Sequence, residues 1–195
     1  GNTKVPFNED DRVDTPVSFY AATKKANELM AHTYAHLYGL PATGLRFFTV
    51  YGPWGRPDMA YWMFTDAILS GRPIDVFGDG LLSRDFTYCD DVVTAIERLA
   101  WMPPVATAAG VAAPPHRILN VGNSAPHTVN ELIGTLESLI GRQALRVSKP
   151  MPPGDVVCTF ADSARLAALT GFRPTTALRD GLAAFVGWFR DYHGR

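Results

Sequence analysis

The feature that most constrains this chain is the alternation of helix-like and strand-like segments from residue 18 onward. Apolar residues recur at spacings of three and four from Ser18 to Leu37, which predicts a helix that Gly39 closes. The β-branched and aromatic run from Thr43 to Tyr51 then predicts one buried strand. Strands that alternate with helices are typical of α/β layers.

The same alternation continues to the end of the chain. Helical patterns cover residues 59–70, 129–140, 162–169 and 178–193, and Thr128 is expected to cap the second of these. The last has an apolar stripe formed by Leu182, Phe185, Val186 and Phe189. A further helix runs to about residue 102, capped by Asp90 or Asp91. Strand patterns cover residues 74–77, 118–121 and 145–148, and a turn is expected at residues 78–80. The Pro- and Ala-rich residues 103–116 are expected to form a surface loop.

Bulk properties exclude several classes of partner. The 195 residues suit one domain or slightly more, and a net charge of -1 leaves no broad basic surface for nucleic acid. No apolar run approaches the roughly 20 residues that span a bilayer, so no membrane contact is expected in this segment. Cys89 and Cys158 form no CxxC pair, which predicts two buried free thiols and a reducing, cytoplasmic location.

Histidines at helical spacing do not make a convincing metal site. His32 and His36 lie four residues apart, a spacing that can bind zinc, but no third ligand is near in the sequence. We interpret both as residues of the helix surface or of a dimer face, and we predict no metal site.

The sharpest chemical feature is the segment Tyr20-Ala21-Ala22-Thr23-Lys24. A spacing of four residues puts both side chains on one face of a helix. An ammonium near a phenol stabilises the phenolate, which equips Tyr20 to take a proton from a sugar hydroxyl. On spacing alone, an aromatic ring packed on the core beside a solvated lysine explains the pair equally simply.

The surrounding motifs favour the chemical interpretation. The pair lies within PVSFYAATKKANELMAHTYAHLYGLPATGLRFFTVYGPWGRPDMA, followed by PIDVFGDGLLSRDFTYCDDV, ILNVGNS, PGDVVCTFADSARL and GFRPTTALRDGLAAFVGWF. This ordered set resembles the extended short-chain dehydrogenase/reductases, and among them most closely the UDP-glucuronate 4-epimerases. The resemblance covers nearly the whole chain.

The resemblance implies an α/β fold: the C-terminal part of a Rossmann-like doubly wound sheet plus a smaller α/β nucleotide-sugar-binding domain. Residues 1–58 would belong to the first part and residues 59–195 mainly to the second, with some segments returning to the first. The glycine-rich GxxGxxG unit of the family and its catalytic Ser or Thr do not occur in the sequence, and relatives carry both upstream. We therefore expect an N-terminally truncated chain with an incomplete NAD site and an uncovered sheet edge.

Four residues are implied to serve the cofactor end of the site. Tyr20 would be the acid-base residue, and Lys24 would bind the nicotinamide ribose and favour the ionised form of Tyr20. Tyr51 and Pro53, in the TVYGP segment, would shape the nicotinamide pocket. A simple turn is the competing explanation for Tyr51 and Pro53.

Six further residues are implied to bind a UDP-sugar. Thr49 and Arg56 would contact the sugar carboxylate, Val76 and Phe77 would line the uracil site, Arg84 would bind the diphosphate, and Asp155 would lie near the ribose. Strand packing explains Thr49, Val76 and Phe77 equally well, and a solvated loop residue or a turn explains Arg56 and Asp155.

These roles together imply NAD-dependent epimerisation at C4 of a UDP-sugar, most simply UDP-glucuronate to UDP-galacturonate, through a transient 4-keto sugar. The first helix would join two copies in a homodimer. Two alternatives remain open: a related nucleotide-sugar decarboxylase or 4,6-dehydratase, or a non-catalytic fragment that binds UDP-sugar or dimerises.

Overall fold

The computed structural model describes residues 4–106, 113–151 and 156–194. The helices are α1 (Phe19–Tyr38), α2 (Ala60–Ser70), α3 (Cys89–Ala100), α4 (Val129–Ile140), α5 (Ala164–Thr170) and α6 (Leu178–His193). The strands are β1 (Ala42–Phe47), β2 (Thr49–Tyr51), β3 (Pro73–Phe77), β4 (Ser83–Tyr88), β5 (His116–Val121), β6 (Pro126–Thr128), β7 (Leu145–Lys149) and β8 (Cys158–Thr159). The predicted α/β class is confirmed.

Helix α1 begins and ends where the sequence predicted. The hydroxyl of Ser18 accepts a hydrogen bond from the Ala21 amide, and Gly39 ends the helix in the left-handed conformation with φ 63°. Ala35 is the one buried residue among those that the structure describes in this helix. Its other apolar side chains therefore form an uncovered surface.

Few contacts attach α1 to the rest of the fold, and an ion pair is the strongest of them. Arg46 of β1 donates from Nε to Glu28 Oε1 at 2.7 Å and from Nη2 to Oε2 at 2.9 Å. The hydrogen bonds from Arg46 hold the pKa of Glu28 below its usual value. His32 adds an edge-on contact with the His116 ring of β5, so it faces the sheet and not only the surface.

The prediction of one strand from Thr43 to Tyr51 is wrong, because the chain leaves one sheet and enters another at Phe48. β1 pairs in parallel with β5 from Ala42↔His116 to Phe47↔Val121, whereas β2 pairs in parallel with β4. The strand is also less buried than predicted, and Tyr51 alone is fully buried between residues 42 and 51. Within the described ranges β1 pairs on one side only, which matches the expected uncovered edge.

The second sheet is built around β4, a strand that the sequence analysis did not identify. β4 lies between β2 and β6 and also pairs with β8, while β3 and β7 form a separate parallel pair. Segments beyond residue 58 thus contribute strands to all three sheets, and the proposed division into two domains stays a prediction.

Smaller differences lie at element ends. Tyr88 precedes α3, so Asp90 and Asp91 occupy its first turn and do not cap it. β5 begins at His116, inside the predicted loop, of which residues 107–112 lie outside the described part. Thr128 caps α4 through a reciprocal capping box, as predicted. Cys89 and Cys158 are unpaired as expected, but both are half-buried where burial was predicted.

The larger hydrophobic core lies beneath α2, α4 and α6. The predicted apolar stripe of α6 is confirmed, since all four of its residues are buried there: Leu182, Phe185, Val186 and Phe189. Tyr51 enters the same core and presses its hydroxyl against α6 at Gly181. None of the helices described here is long and apolar enough to cross a membrane.

Gly181→Ala is expected to lower the free energy of unfolding by about 1–3 kcal/mol. A Cβ at Gly181 would lie 2.3 Å from the Tyr51 hydroxyl oxygen, and that ring is fully buried. Gly187→Ala is the matched control on the same helix, because a Cβ there meets nothing within 4 Å. It should raise the stability by up to about 1 kcal/mol. Equal effects of the two changes in urea denaturation would contradict this packing.

Candidate functional site

A cavity of about 280 Å³ lies between β2, β3, β4 and the ends of α2 and α4. It brings together three residues that the sequence analysis assigned to UDP-sugar binding: Thr49, Phe77 and Arg84. Its other lining residues are mostly apolar, with Asp75 and Tyr61 as further polar groups. An apolar cleft with a few converging polar groups is the usual form of a small-molecule site.

The alternation of side chains along β4 builds one wall of this cavity. Leu82, just before the strand, and Arg84 and Phe86 within it line the cavity. Asp85 and Thr87 point to the opposite side and are fully buried. Thr49 of β2 stands beside Phe86 in the parallel register, which places it on the cavity side.

Backbone carbonyls hold the guanidinium of Arg84 in place. Its Nη1 donates to the carbonyl oxygen of Ser83 at 2.9 Å and to that of Val156 at 2.7 Å. A half-buried arginine that is already oriented suits recognition of a phosphate group.

The carboxylate of Asp85 anchors β4 from the other side of the strand. Its Oδ1 accepts from the Asn123 amide at 2.9 Å, and its Oδ2 accepts from the amides of Ser124 and Ala161 at 3.0 and 2.9 Å. Burial raises the pKa of Asp85 although these N–H groups oppose the shift. One side chain thereby joins β4 to the β5–β6 turn and to Ala161, between β8 and α5.

The strand β3 also presents alternate faces. Asp75 and Phe77 line the cavity, whereas Ile74 and Val76 are buried in the core. The side chain of Val76 therefore does not reach the cavity, and any contact of this residue with a base would use its backbone. Phe77 is partly exposed and offers an aromatic face.

Tyr61, in the first turn of α2, lines the cavity and contacts the loop that joins β2 to α2. Burial raises the pKa of the Tyr61 hydroxyl, and the nearby backbone of Gly52 opposes the shift. A Cβ at Gly55 would lie 1.7 Å from this hydroxyl, so the loop requires glycine there. Arg56 follows, outside the cavity lining, with its guanidinium near Asp58 at 3.4 Å and the sulfur of Met59 at 3.4 Å.

The two residues predicted to shape a nicotinamide pocket occupy different settings. The ring of Tyr51 is buried against Tyr61, Phe86 and Tyr88, and burial raises its pKa above the ordinary value. Only its backbone is placed to meet a cofactor. Pro53 lies in the turn that follows β2.

Tyr20 and Lys24 stand together at the start of α1. The Nζ of Lys24 lies 5.2 Å from the centroid of the Tyr20 ring, so both side chains share one side of the helix. Tyr20 is 69% exposed, which argues against the simpler explanation of a ring packed in the core. The pair is open to a ligand.

Three further residues concern the site: Asp155 was predicted, and Asp75 and Tyr61 were not. Asp155 lies outside the described residues. Asp75 and Tyr61 were not predicted, although the period-two pattern of β3 would have placed Asp75 beside Phe77. Tyr61 has no comparable signal, since its position depends on the loop that folds back over it.

Comparison with known proteins identifies the family. The model of the NAD dependent epimerase/dehydratase family matches residues 1–122, more than half of the chain. The chain belongs to this family.

Individual relatives agree with this assignment. This epimerase/dehydratase-family chain is 53% identical over 201 residues to an uncharacterized 37.6 kDa protein of Escherichia coli O111:H-. It is 49% identical over 203 residues to a probable UDP-glucuronate 4-epimerase of Rhizobium meliloti. These matches cover 98% and 100% of this chain, which spans 60% of the length of each relative.

A solved structure has the same fold. The UDP-glucuronic acid 4-epimerase of Bacillus cereus, in complex with UDP-glucuronic acid and NAD, superimposes with a TM-score of 0.85 and 30% identity. The match covers 98% of this chain and 58% of that one. The predicted resemblance to this group of enzymes and the Rossmann-like class are thus confirmed.

Asp85→Asn should lower the free energy of unfolding by about 1–3 kcal/mol. An amide NH₂ would replace one of two oxygens that accept backbone N–H groups, leaving at least one buried donor without a partner. Asp191→Asn, at an exposed position of α6, should change it by no more than about 0.5 kcal/mol. A similar small change for both variants in chemical denaturation would show that Asp85 does not anchor β4.

Proposed function

We propose that this chain carries the acid-base pair and the substrate pocket of an NAD-dependent UDP-sugar 4-epimerase, acting on UDP-glucuronate to form UDP-galacturonate. The observation that carries the proposal is the shared side of Tyr20 and Lys24 on α1, in a fold whose relatives include UDP-glucuronate 4-epimerases. The cavity around Arg84 supplies the place for the nucleotide.

Tyr20 performs the proton transfer in this proposal. The phenolate accepts the proton of the C4 hydroxyl as that carbon is oxidised to a ketone, and the phenol returns the proton when the ketone is reduced. Lys24 lies near enough for its positive charge to stabilise the phenolate between the two steps. Reduction on the opposite face of the keto sugar inverts the configuration at C4.

Different residues of the pocket bind different parts of the substrate. Arg84, already oriented by two carbonyl oxygens, binds the diphosphate. Phe77 offers a face on which a base stacks. Thr49 lies on the cavity wall, and Arg56 lies in the loop before α2, in contact with Met59 of the lining. Both residues bind the sugar carboxylate. Asp155 is proposed to contact the ribose on the strength of its motif.

The nicotinamide end of NAD fits the residues present. The ammonium of Lys24 stands on the open side of α1, where it is free to donate to ribose hydroxyls. When bound, NAD supplies the acceptor and later the donor of a hydride at C4, so the net redox change is nil. A pyrophosphate-binding glycine loop does not occur among the 195 residues.

Two further features of the setting belong to the proposal. The uncovered apolar residues of α1 supply a face for a homodimer: Leu29, Met30 and Leu37 are each more than half exposed. The two unpaired cysteines suit the reducing cytoplasm. The decarboxylase and dehydratase alternatives share the Tyr-Lys pair, but no observation in this structure favours them.

Tyr20→Phe in the complete protein, assayed with UDP-glucuronate and NAD, should reduce kcat by about 10²–10⁴-fold. The ring and its contact with Lys24 remain, but the group that carries the proton is lost. Tyr38→Phe, which removes an exposed hydroxyl at the far end of α1, is the control and should keep full activity. Unchanged turnover in the Tyr20 variant, with UDP-galacturonate measured by NMR, would refute the assignment.

Arg84→Met should weaken binding of UDP by about 10- to 100-fold while leaving the affinity for uridine nearly unchanged. The lost interaction is with the diphosphate, which uridine lacks. Arg12→Met, at an exposed arginine of the N-terminal segment, should alter neither affinity. Calorimetric titrations that show equal losses for UDP and uridine would mean that Arg84 only maintains the fold.

A further inference from the structure

The loop that carries Arg56 contains an unusual backbone conformation. The Gly55 amide donates to the Gly52 carbonyl at 3.2 Å, which closes a turn with Pro53 and Trp54 at its centre. Trp54 has φ 63°, the left-handed conformation that glycine or asparagine normally occupies at the third position of such a turn. A tryptophan with this φ is strained, and strain of this kind persists only where surrounding contacts enforce it.

The enforcing contacts are made with two aromatic rings of α6, one tilted and one edge-on. The ring of Trp54 lies 5.3 Å from the ring of Trp188 and 5.3 Å from that of Tyr192, measured between centroids. Trp188 and Tyr192 themselves stack at 5.2 Å with an interplanar angle of 21°. Trp54 is nevertheless 73% exposed, so it contributes little to the hydrophobic core. Its contacts hold the loop rather than the fold.

The contacts of Trp54 with α6 hold the loop at this residue, and Tyr61 contacts the loop at Gly55. Tyr61 packs there and also lines the cavity. Arg56 follows directly, and the Met59 amide donates to its carbonyl at 3.2 Å as the chain enters α2. The position of Arg56 relative to the cavity is therefore set by a turn that the Trp54 ring pins to α6.

We infer that Trp54 is a positioning residue that holds Arg56 at the end of the cavity where the sugar acid binds. This inference rests on the proposed function, because it assigns the selection of a carboxylate-bearing UDP-sugar to Arg56. An arginine binds a carboxylate with both N–H groups only when its planar guanidinium is correctly placed. Loss of the Trp54 ring should therefore lower the preference for a carboxylate-bearing sugar without unfolding the protein. Trp54 itself need not touch the substrate.

Three substitutions in the complete protein with NAD bound test this inference. Trp54→Asn accepts the positive φ but removes the ring, whereas Trp54→Phe keeps a ring on α6. Arg56→Ala removes the recognising group. Two quantities are measured for each: the ratio of the affinities for UDP-glucuronate and UDP-glucose, and the hydrogen exchange of the Gly55 amide.

Trp54→Asn should reduce the preference for UDP-glucuronate by about tenfold or more, with little change in the affinity for UDP-glucose. It should also speed exchange at Gly55, and Trp54→Phe should restore both properties in large part. In the Arg56→Ala background, Trp54→Asn should have no further effect on the preference, because the two residues act through one group.

The possible results distinguish a failure of this inference from a failure of the proposed function. If the unmodified protein prefers UDP-glucuronate and Trp54→Asn keeps that preference, the positioning role is overturned while the proposed function stands. Equal losses for both sugars, or a loss that persists in the Arg56→Ala background, also overturn it. If the unmodified protein binds neither UDP-sugar, the proposed function fails and the inference fails with it.

Discussion

The site depends on the buried carboxylate of Asp85. By accepting three backbone N–H groups from the β5–β6 turn and from Ala161, it fixes the orientation of β4. Side chains alternate along a strand, so a buried Asp85 obliges Arg84 and Phe86 to face the other way, into the cavity. A register shift of one residue would bury the arginine and expose the carboxylate, and the pocket would lose its cation.

Helix α1, which carries the proposed acid-base pair, is attached to the fold by fewer interactions. Helix α1 buries little of its surface, and the paired hydrogen bonds between Arg46 and Glu28 supply its main polar connection to β1. Tyr20 and Lys24 lie beyond this connection, near the start of the helix. The pair proposed to transfer the proton thus lies on a helix of which little is buried. The cavity proposed to bind the nucleotide lies beside the packed core.

Local signals were sufficient to predict much of this arrangement. Ser18 and Gly39 mark the ends of α1, Thr128 marks the start of α4, and the spacing of Tyr20 and Lys24 puts them on one side of a helix. The order of motifs also indicated that Thr49, Phe77 and Arg84 belong to one site, and the structure places them in one cavity.

What could not be predicted depends on contacts between distant residues. The run from Thr43 to Tyr51 has a uniform strand composition, yet it divides at Phe48 because β5 and β4 offer different partners. β4 carries two charged residues, Arg84 and Asp85, in adjacent positions, and such a pair does not indicate a strand. The pattern is explained only when the structure shows that Arg84 faces the cavity and Asp85 binds buried amides. Tyr61 and Trp54 acquire their roles only when the loop between β2 and α2 folds against α2 and α6.

The most direct test of the account is a crystal structure of the complete protein with NAD and UDP-glucuronate bound. The account predicts the diphosphate on the guanidinium of Arg84 and the sugar O4 within about 3.2 Å of the Tyr20 hydroxyl. A diphosphate bound away from Arg84, or a sugar whose O4 is remote from Tyr20, would contradict it.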